Sequence, residues 1–111
     1  MNNKPAIVVR ARLNPDVMEK FEIWHSETHM PHIMAIPGIV AARRVRHARE
    51  IPGTHQMEFE LEDEQAIQRV MGSAEAQIAQ QDWTAWATDM QELSVEIYAA
   101  LGPLPQYHLD N

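Results

Sequence analysis

Three histidines, His25, His29 and His32, fall within eight residues of the stretch WHSETHMPHIMAIPG at positions 24–38. An imidazole titrates near neutral pH, so such a cluster suits proton transfer. Neutral ring nitrogens also bind metals, and histidines at i and i+4 can share one, with His32 as a third ligand. The metalloprotease pattern needs Glu directly after the first His, however, and Ser26 stands there. Pro31 also disturbs the geometry between His29 and His32. A third reading is that the rings only pack and hydrogen-bond to backbone or glutamates, as buried polar groups usually do.

A helix over 16–35 must position these rings. At about 100° per residue, His25, His29 and His32 occupy a narrow sector of its wheel. Val17, Met18, Phe21 and Ile36 point the same way, while Glu19, Lys20 and Glu27 lie opposite. The histidines therefore extend the core-facing stripe. Asp16 after Asn14-Pro15, with Glu19 three residues on, starts this helix, and Pro31 kinks or ends it. Ile23, Met30 and Met34 point away from the stripe.

Around this helix the order of elements is βαββαβ. Strands are expected over 5–13, 39–49, 54–62 and 91–100, separated by Pro37-Gly38 and Pro52-Gly53 turns. A second helical segment covers 63–90, split near Gly72-Ser73. That order makes a ferredoxin-like α+β sandwich with a four-stranded antiparallel sheet. His55, Met57, Phe59 and Leu61 share one face of the third strand, with Gln56, Glu58, Glu60 and Glu62 on the other. The first strand presents Ile7, Val9, Ala11 and Leu13 opposite Arg10 and Arg12. The fourth presents Leu93, Val95 and Ile97 opposite Glu92, Ser94, Glu96 and Tyr98, and the second offers Arg44 and Arg46 on one side. One sheet face is then apolar and meets the helices, while the other interleaves Arg10 and Arg12 with glutamates on both sides.

Two helices over such a sheet, lined with Trp, Phe, Met and His, describe either a packed core or a pocket for a flat apolar molecule. Trp83 and Trp86, at i and i+3 on the long last helix, join Trp24, Phe21, Met57 and Phe59 as its candidate walls.

Bulk properties narrow the function. The 111 residues suit one domain, over 1–101, followed by an extended tail at 102–111 rich in proline. No apolar run approaches the ~18 residues of a membrane span, and the N-terminus does not read as a signal peptide. Without cysteine there is no disulfide, thiolate metal site or cysteine nucleophile, which fits a cytoplasmic location. The net charge of −7 argues against a nucleic-acid partner, because phosphate binding calls for a basic patch. The one basic run, Arg43, Arg44, Arg46 and Arg49, lies in a strand-like segment. There is no glycine-rich phosphate loop and no GxSxG elbow, so neither a nucleotide nor a flavin is expected.

A first helix ending in Trp24-His25, then His29-x-Pro31, then Pro37-Gly38 before a strand bearing Arg43-Arg44, resembles the dimeric α+β barrel superfamily, especially its EthD-like branch. The match in element order extends to about residue 101. The resemblance implies a homodimer whose two sheets pack face to face, which would put the Arg/Glu face inside the barrel. It also implies a ligand held between sheet and helices, with a histidine near the end of the first helix acting on it, here His25 or His29. The superfamily spans cofactor-free monooxygenases, cyclases, isomerases, dehydratases and haem-handling proteins, so the fold leaves the chemistry open.

The expectation is a small homodimeric enzyme without an organic cofactor. It would act by proton transfer on an apolar metabolite of aromatic or polyketide-like kind, through isomerisation, cyclisation, elimination or oxygen insertion. His29 or His25 would be the base or acid, and His32 would support it. Two alternatives stand beside this. One is a non-catalytic ligand-binding or stress-related dimer. The other is a protein holding haem or a divalent metal through the histidines.

Overall fold

The computed structural model describes residues 4–101, so the tail expected from 102 onward lies outside the described residues. Strand β1 (Ala6–Leu13) is followed by a short 3-10 turn, Pro15–Val17, and helix α1 (Met18–Trp24). A π-helical turn, His25–His29, leads into α2 (Met30–Met34). Then come β2 (Ile39–Val45), β3 (Thr54–Leu61), α3 (Glu64–Gly72) and α4 (Ala74–Asp82). A 3-10 turn, Trp83–Trp86, precedes β4 (Met90–Tyr98). The sheet order is β2-β3-β1-β4, every neighbouring pair antiparallel. This is the ferredoxin-like α+β sandwich that the alternation of residues predicts. Among the described residues no helix is long and apolar enough to cross a membrane.

Local chemistry explains the boundaries that differ from expectation. The first cap is Asn14, not Asp16: its side-chain oxygen accepts from the Asp16 N–H at 3.1 Å, and the chain enters through a 3-10 turn. Pro31 neither ends nor breaks the helical path. Its ring would crowd the carbonyl four residues back, and the backbone widens instead, with the Met30 N–H bonding to the His25 carbonyl. Gly72 and Ser73 do split the second helical segment, where the Ser73 hydroxyl caps α4 through the Ala76 N–H at 3.0 Å. That segment stops at Trp86 rather than running to 90, so Trp83 and Trp86 sit on a 3-10 turn. In such a turn residues i and i+3 eclipse, which sets the two indoles on one side. At Gly53 (φ 82°) an added Cβ would meet the Leu13 carbonyl oxygen at 2.2 Å, so the Pro52-Gly53 turn needs glycine there.

The core sits between the helices and the central strands. Ile7, Val9, Ala11 and Leu13 of β1 are all buried, as are His55, Met57, Phe59 and Leu61 of β3. Phe21, Ile33, Ile36, Ala66, Val70, Ala79 and Trp83 close over them. The inward side of β4 behaves differently. Leu93 is 40% and Val95 56% exposed, because the helices cover β3 and β1 but stop short of this edge strand. The apolar sheet face is therefore only partly roofed. Of the helix residues expected to point outward, Ile23 and Met34 are exposed, whereas Met30 packs against the core.

The opposite sheet face carries the expected charges in a different pairing. Arg10 lies across from Gln56 and Ser94, and reaches Glu96 diagonally at 2.7 Å. Val8, between Glu58 and Glu96, is buried even on this face. A register shift between Ile39 and Ala41 in β2 places Arg43, not Arg44, among the glutamates, with Arg43 bonded to Glu58 at 2.9 Å. Arg44 faces the helices instead and pairs with Glu22 of α1.

Candidate functional site

Seven aromatic and imidazole rings gather where the π turn, the 3-10 turn after α4 and the start of β3 meet. Phe21, fully buried, is their hub. Its ring lies 4.9–5.8 Å from those of Trp24, His25, His55, Trp83 and Trp86. The π turn matters because it puts both His25 and His29 on the buried side, each less than 7% exposed. Such wide turns recur at functional sites, where they re-aim side chains that a regular helix would space differently.

His29 is held on three sides. Trp24 stacks on it at 5.3 Å and an interplanar angle of 13°, and Trp83 meets it edge-on at 4.9 Å. Its Nδ1 lies 2.9 Å from Oδ2 of Asp82, the last residue of α4. The same Asp82 oxygen lies 2.7 Å from Nδ1 of His32, whose side chain is 42% exposed. One carboxylate thus joins a buried imidazole to an imidazole at the surface.

The electrostatics favour one arrangement of protons. Burial tends to raise the Asp82 pKa, but hydrogen bonds from His32 and His29 outweigh it and hold the carboxyl below its ordinary value. Asp82 is therefore a carboxylate at neutral pH and can only accept. Burial lowers the His29 pKa, against the opposing pull of Asp82, so the ring is neutral at pH 7. A neutral ring beside a carboxylate carries its hydrogen on Nδ1, which donates to Asp82. Nε2 is left unprotonated, as a base needs. This is the orienting logic of an Asp–His pair, in which the acid fixes the tautomer and stabilises the imidazolium that forms.

His25 and His55 have a different environment. Their ring centroids are 4.3 Å apart, and His25 lies 5.3 Å from His29. Burial and the neighbouring His29 push the His25 pKa down to about 4. Burial, then His25, Arg44 and His29, push that of His55 down to about 3. Both rings are neutral in the fold. Neither nitrogen of His55 has a hydrogen-bond partner among the described residues, nor has the indole N–H of Trp86. The nearest acid to His55 is Glu22, at 3.7 Å from Nδ1.

A groove of about 330 Å³ opens between the uncovered edge of the sheet and the helices. Ile7, Val9 and Phe59 form its floor, Ile33, Ala79 and Trp83 its roof, and Leu93, Val95 and Ile97 its open side. His29 lines it, and among the described residues the only other polar side chain on its walls apart from the Trp83 indole is Gln80. Of the residues expected from sequence to act on or bind a substrate, the structure brings His29, Trp83 and Phe59 to this groove. His25 sits behind His29 in the ring cluster, and His32 lies beyond Asp82. Phe21 and Met57 are buried in the core, while Trp24 and Trp86 are partly buried around Phe21. Among the described residues no group of three or more His, Asp or Glu is arranged to hold a metal ion.

Sequence reasoning missed Asp82, His55 and the β4 wall. His55 had a signal, since it alternates with Met57 and Phe59 on the inward face of β3. Asp82 had little, because its partners lie 50 and 53 residues away in the chain.

No family model matches the sequence, and neither does any curated protein. Solved structures do match. An EthD (ethyl tert-butyl ether D) family protein from Bacillus halodurans superposes with a TM-score of 0.68 at 18% identity, covering 87% of this chain and 99% of that one. A variant of SnoaB, a cofactor-independent oxygenase from Streptomyces nogalater, gives 0.63 at 18% identity, covering 95% and 100%. A conserved protein from Methanosarcina mazei gives 0.63 at 15%, covering 88% and 94%. The chain shares the ferredoxin-like α+β fold of these structures.

Proposed function

We propose that this protein is a small enzyme in which His29, oriented by Asp82, removes a proton from an apolar substrate lying in the groove between α4 and β4. The observation that carries the reading is the coincidence of three features at one ring. His29 lines the apolar groove, its Nδ1 lies 2.9 Å from a carboxylate oxygen, and burial lowers its pKa, which supports a neutral ring with Nε2 free to take a proton. Water is largely excluded around the ring, which strengthens each electrostatic contact there. Proton removal leaves the electron pair on the substrate, as an enolate or phenolate. Isomerisation, cyclisation, elimination and attack on oxygen can all begin from such an anion, and the neighbouring fold of a cofactor-independent oxygenase is compatible with the last.

His32 supports the base from the solvent side through their shared Asp82 oxygen. The enzyme works without an organic cofactor, as a homodimer joined through the Arg/Glu face of the sheet, where Arg10, Arg43 and Tyr98 stand exposed. Native mass spectrometry of untagged protein purified without chelator should give twice the chain mass and nothing more. Added mass equal to haem or zinc would move the histidines to ligand roles.

The catalytic test is exchange of acidic C–H hydrogens for deuterium, followed by NMR in D₂O over a panel of uncharged aromatic ketones. The wild type should accelerate exchange for at least one. His29→Ala should lose about 10² to 10⁴ of that rate while keeping its circular dichroism, with a melting temperature lowered by the cavity that the buried ring leaves. Undiminished exchange in the variant would sink the assignment.

A further inference from the structure

We infer that the groove selects an uncharged substrate with a carbonyl or hydroxyl oxygen at one end, and that Gln80 is the specificity-determining contact for that oxygen. This rests on His29 being the base of the same groove. Among the described residues the walls hold no Lys, Arg, Asp or Glu, although the chain carries 25 such residues. A carboxylate or phosphate entering there would shed its water and meet no cation in return. An uncharged ring or chain loses little hydration and gains contact with Phe59, Trp83 and Leu93. The groove therefore discriminates by charge before it discriminates by shape.

Gln80 is placed for the remaining polar contact. Ala76, Ala79, Gln80 and Trp83 recur at helical spacing and form the groove side of α4 and the turn after it. Gln80 is thus the one position on this stripe with hydrogen-bonding capacity outside the indole. It has stayed exposed because the groove is open, so its amide is free to turn toward a ligand. An amide offers two N–H donors and one acceptor, which suits a carbonyl, an enol or a phenol alike.

The step that follows is balanced without any further reactant. His29 Nε2 takes a hydrogen from the carbon beside the carbonyl, and the C–H electron pair becomes the C=C bond of an enolate. The carbonyl π pair moves to oxygen, where the Gln80 N–H donates to the developing charge. The imidazolium either trades its hydrogen with solvent and delivers a solvent hydrogen to the same carbon, which gives exchange, or returns the proton to a conjugated carbon, which gives isomerisation.

The test compares 2-acetylnaphthalene with 2-naphthoate, which share a ring system and differ in charge. By NMR titration at pH 7 the ketone should bind at least tenfold more tightly. Gln80→Leu should slow methyl-hydrogen exchange of the ketone at least tenfold, while binding of 2-ethylnaphthalene stays within twofold. Val95→Lys, on the half-exposed rim, should bring the affinity for 2-naphthoate up at least tenfold. Equal affinity for ketone and carboxylate, or a Gln80→Leu variant that exchanges like the wild type, would overturn the inference even with exchange by His29 intact. Charge selectivity with no exchange at all would support the substrate class and overturn His29 as the base.

Discussion

Two pairs of histidines, three of the four rings within one cluster and His32 at its surface side, meet opposite fates. His29 and His32 share a carboxylate and reach, respectively, the groove and solvent. His25 and His55 lie against each other in the interior, and among the described residues His55 has no hydrogen bond at either nitrogen. Burial acts on His25, His29 and His55 alike, lowering the pKa of each. The difference comes from the partner and the access. A carboxylate fixes a tautomer and leaves one nitrogen for chemistry, whereas a ring without a partner contributes volume at an energetic cost. Imidazole content alone thus does not mark out a candidate site; a ring that meets both a carboxylate and a groove does.

The largest expected effect removes the hub of the cluster, which touches His25 and His55 directly and His29 through Trp24 and Trp83. Phe21→Ala deletes a fully buried ring that meets all three tryptophans and the His25/His55 pair, and should cost about 3–5 kcal/mol in urea unfolding. A loss below 1 kcal/mol would mean that the cluster is loosely packed. Next comes Asp82→Asn, which should separate the pairs. An amide can donate to Nδ1 and so favour the wrong tautomer, and proton exchange should fall about 10²-fold or more. His25→Phe should leave that rate within a few-fold. If the two variants behave alike, the division drawn here fails.

Acid sharpens the contrast. The folded pKa values of His25 and His55 lie below the ordinary 6.5, at about 4 and about 3. The unfolded chain therefore binds more protons as pH falls, and stability is lost progressively from about pH 6.5 down to about pH 3–4. Asp82, held low in the fold, adds to the loss as pH drops below its unfolded value. Each buried histidine should contribute a slope of about 1.4 kcal/mol per pH unit inside its window. His55→Leu should flatten the melting-temperature profile by one proton's worth. It should also gain about 1–3 kcal/mol at pH 7, because two partnerless buried nitrogens disappear. A destabilised His55→Leu with an unchanged acid profile would contradict the reading of that pair.

The smallest effect belongs to Arg44→Ala. Its pair with Glu22 is mostly exposed on the arginine side, so stability should change by less than about 1 kcal/mol.

Much of this arrangement was readable in the sequence. Strict alternation of THQMEFEL with a period of two marks β3 and its inward His55, and the spacing of Phe21, His25 and His29 marks the buried helix face. What the sequence could not supply is non-local. The roof over the sheet stops before β4, so Leu93 and Val95 alternate like core residues yet stand half-open. A register shift in β2 turns Arg44 to the helices, and no local pattern announces it. Asp82 meets His29 and His32 only because α4 packs beside α2.

The most direct measurement is ¹⁵N NMR of the histidine rings in the full chain at pH 7, with His29 assigned by its His29→Gln variant. The account predicts a neutral His29 with its hydrogen on Nδ1 and an unprotonated Nε2, and loss of that signature in Asp82→Asn. A His29 that carries its hydrogen on Nε2, or that is cationic at pH 7, would contradict its role as the groove's base.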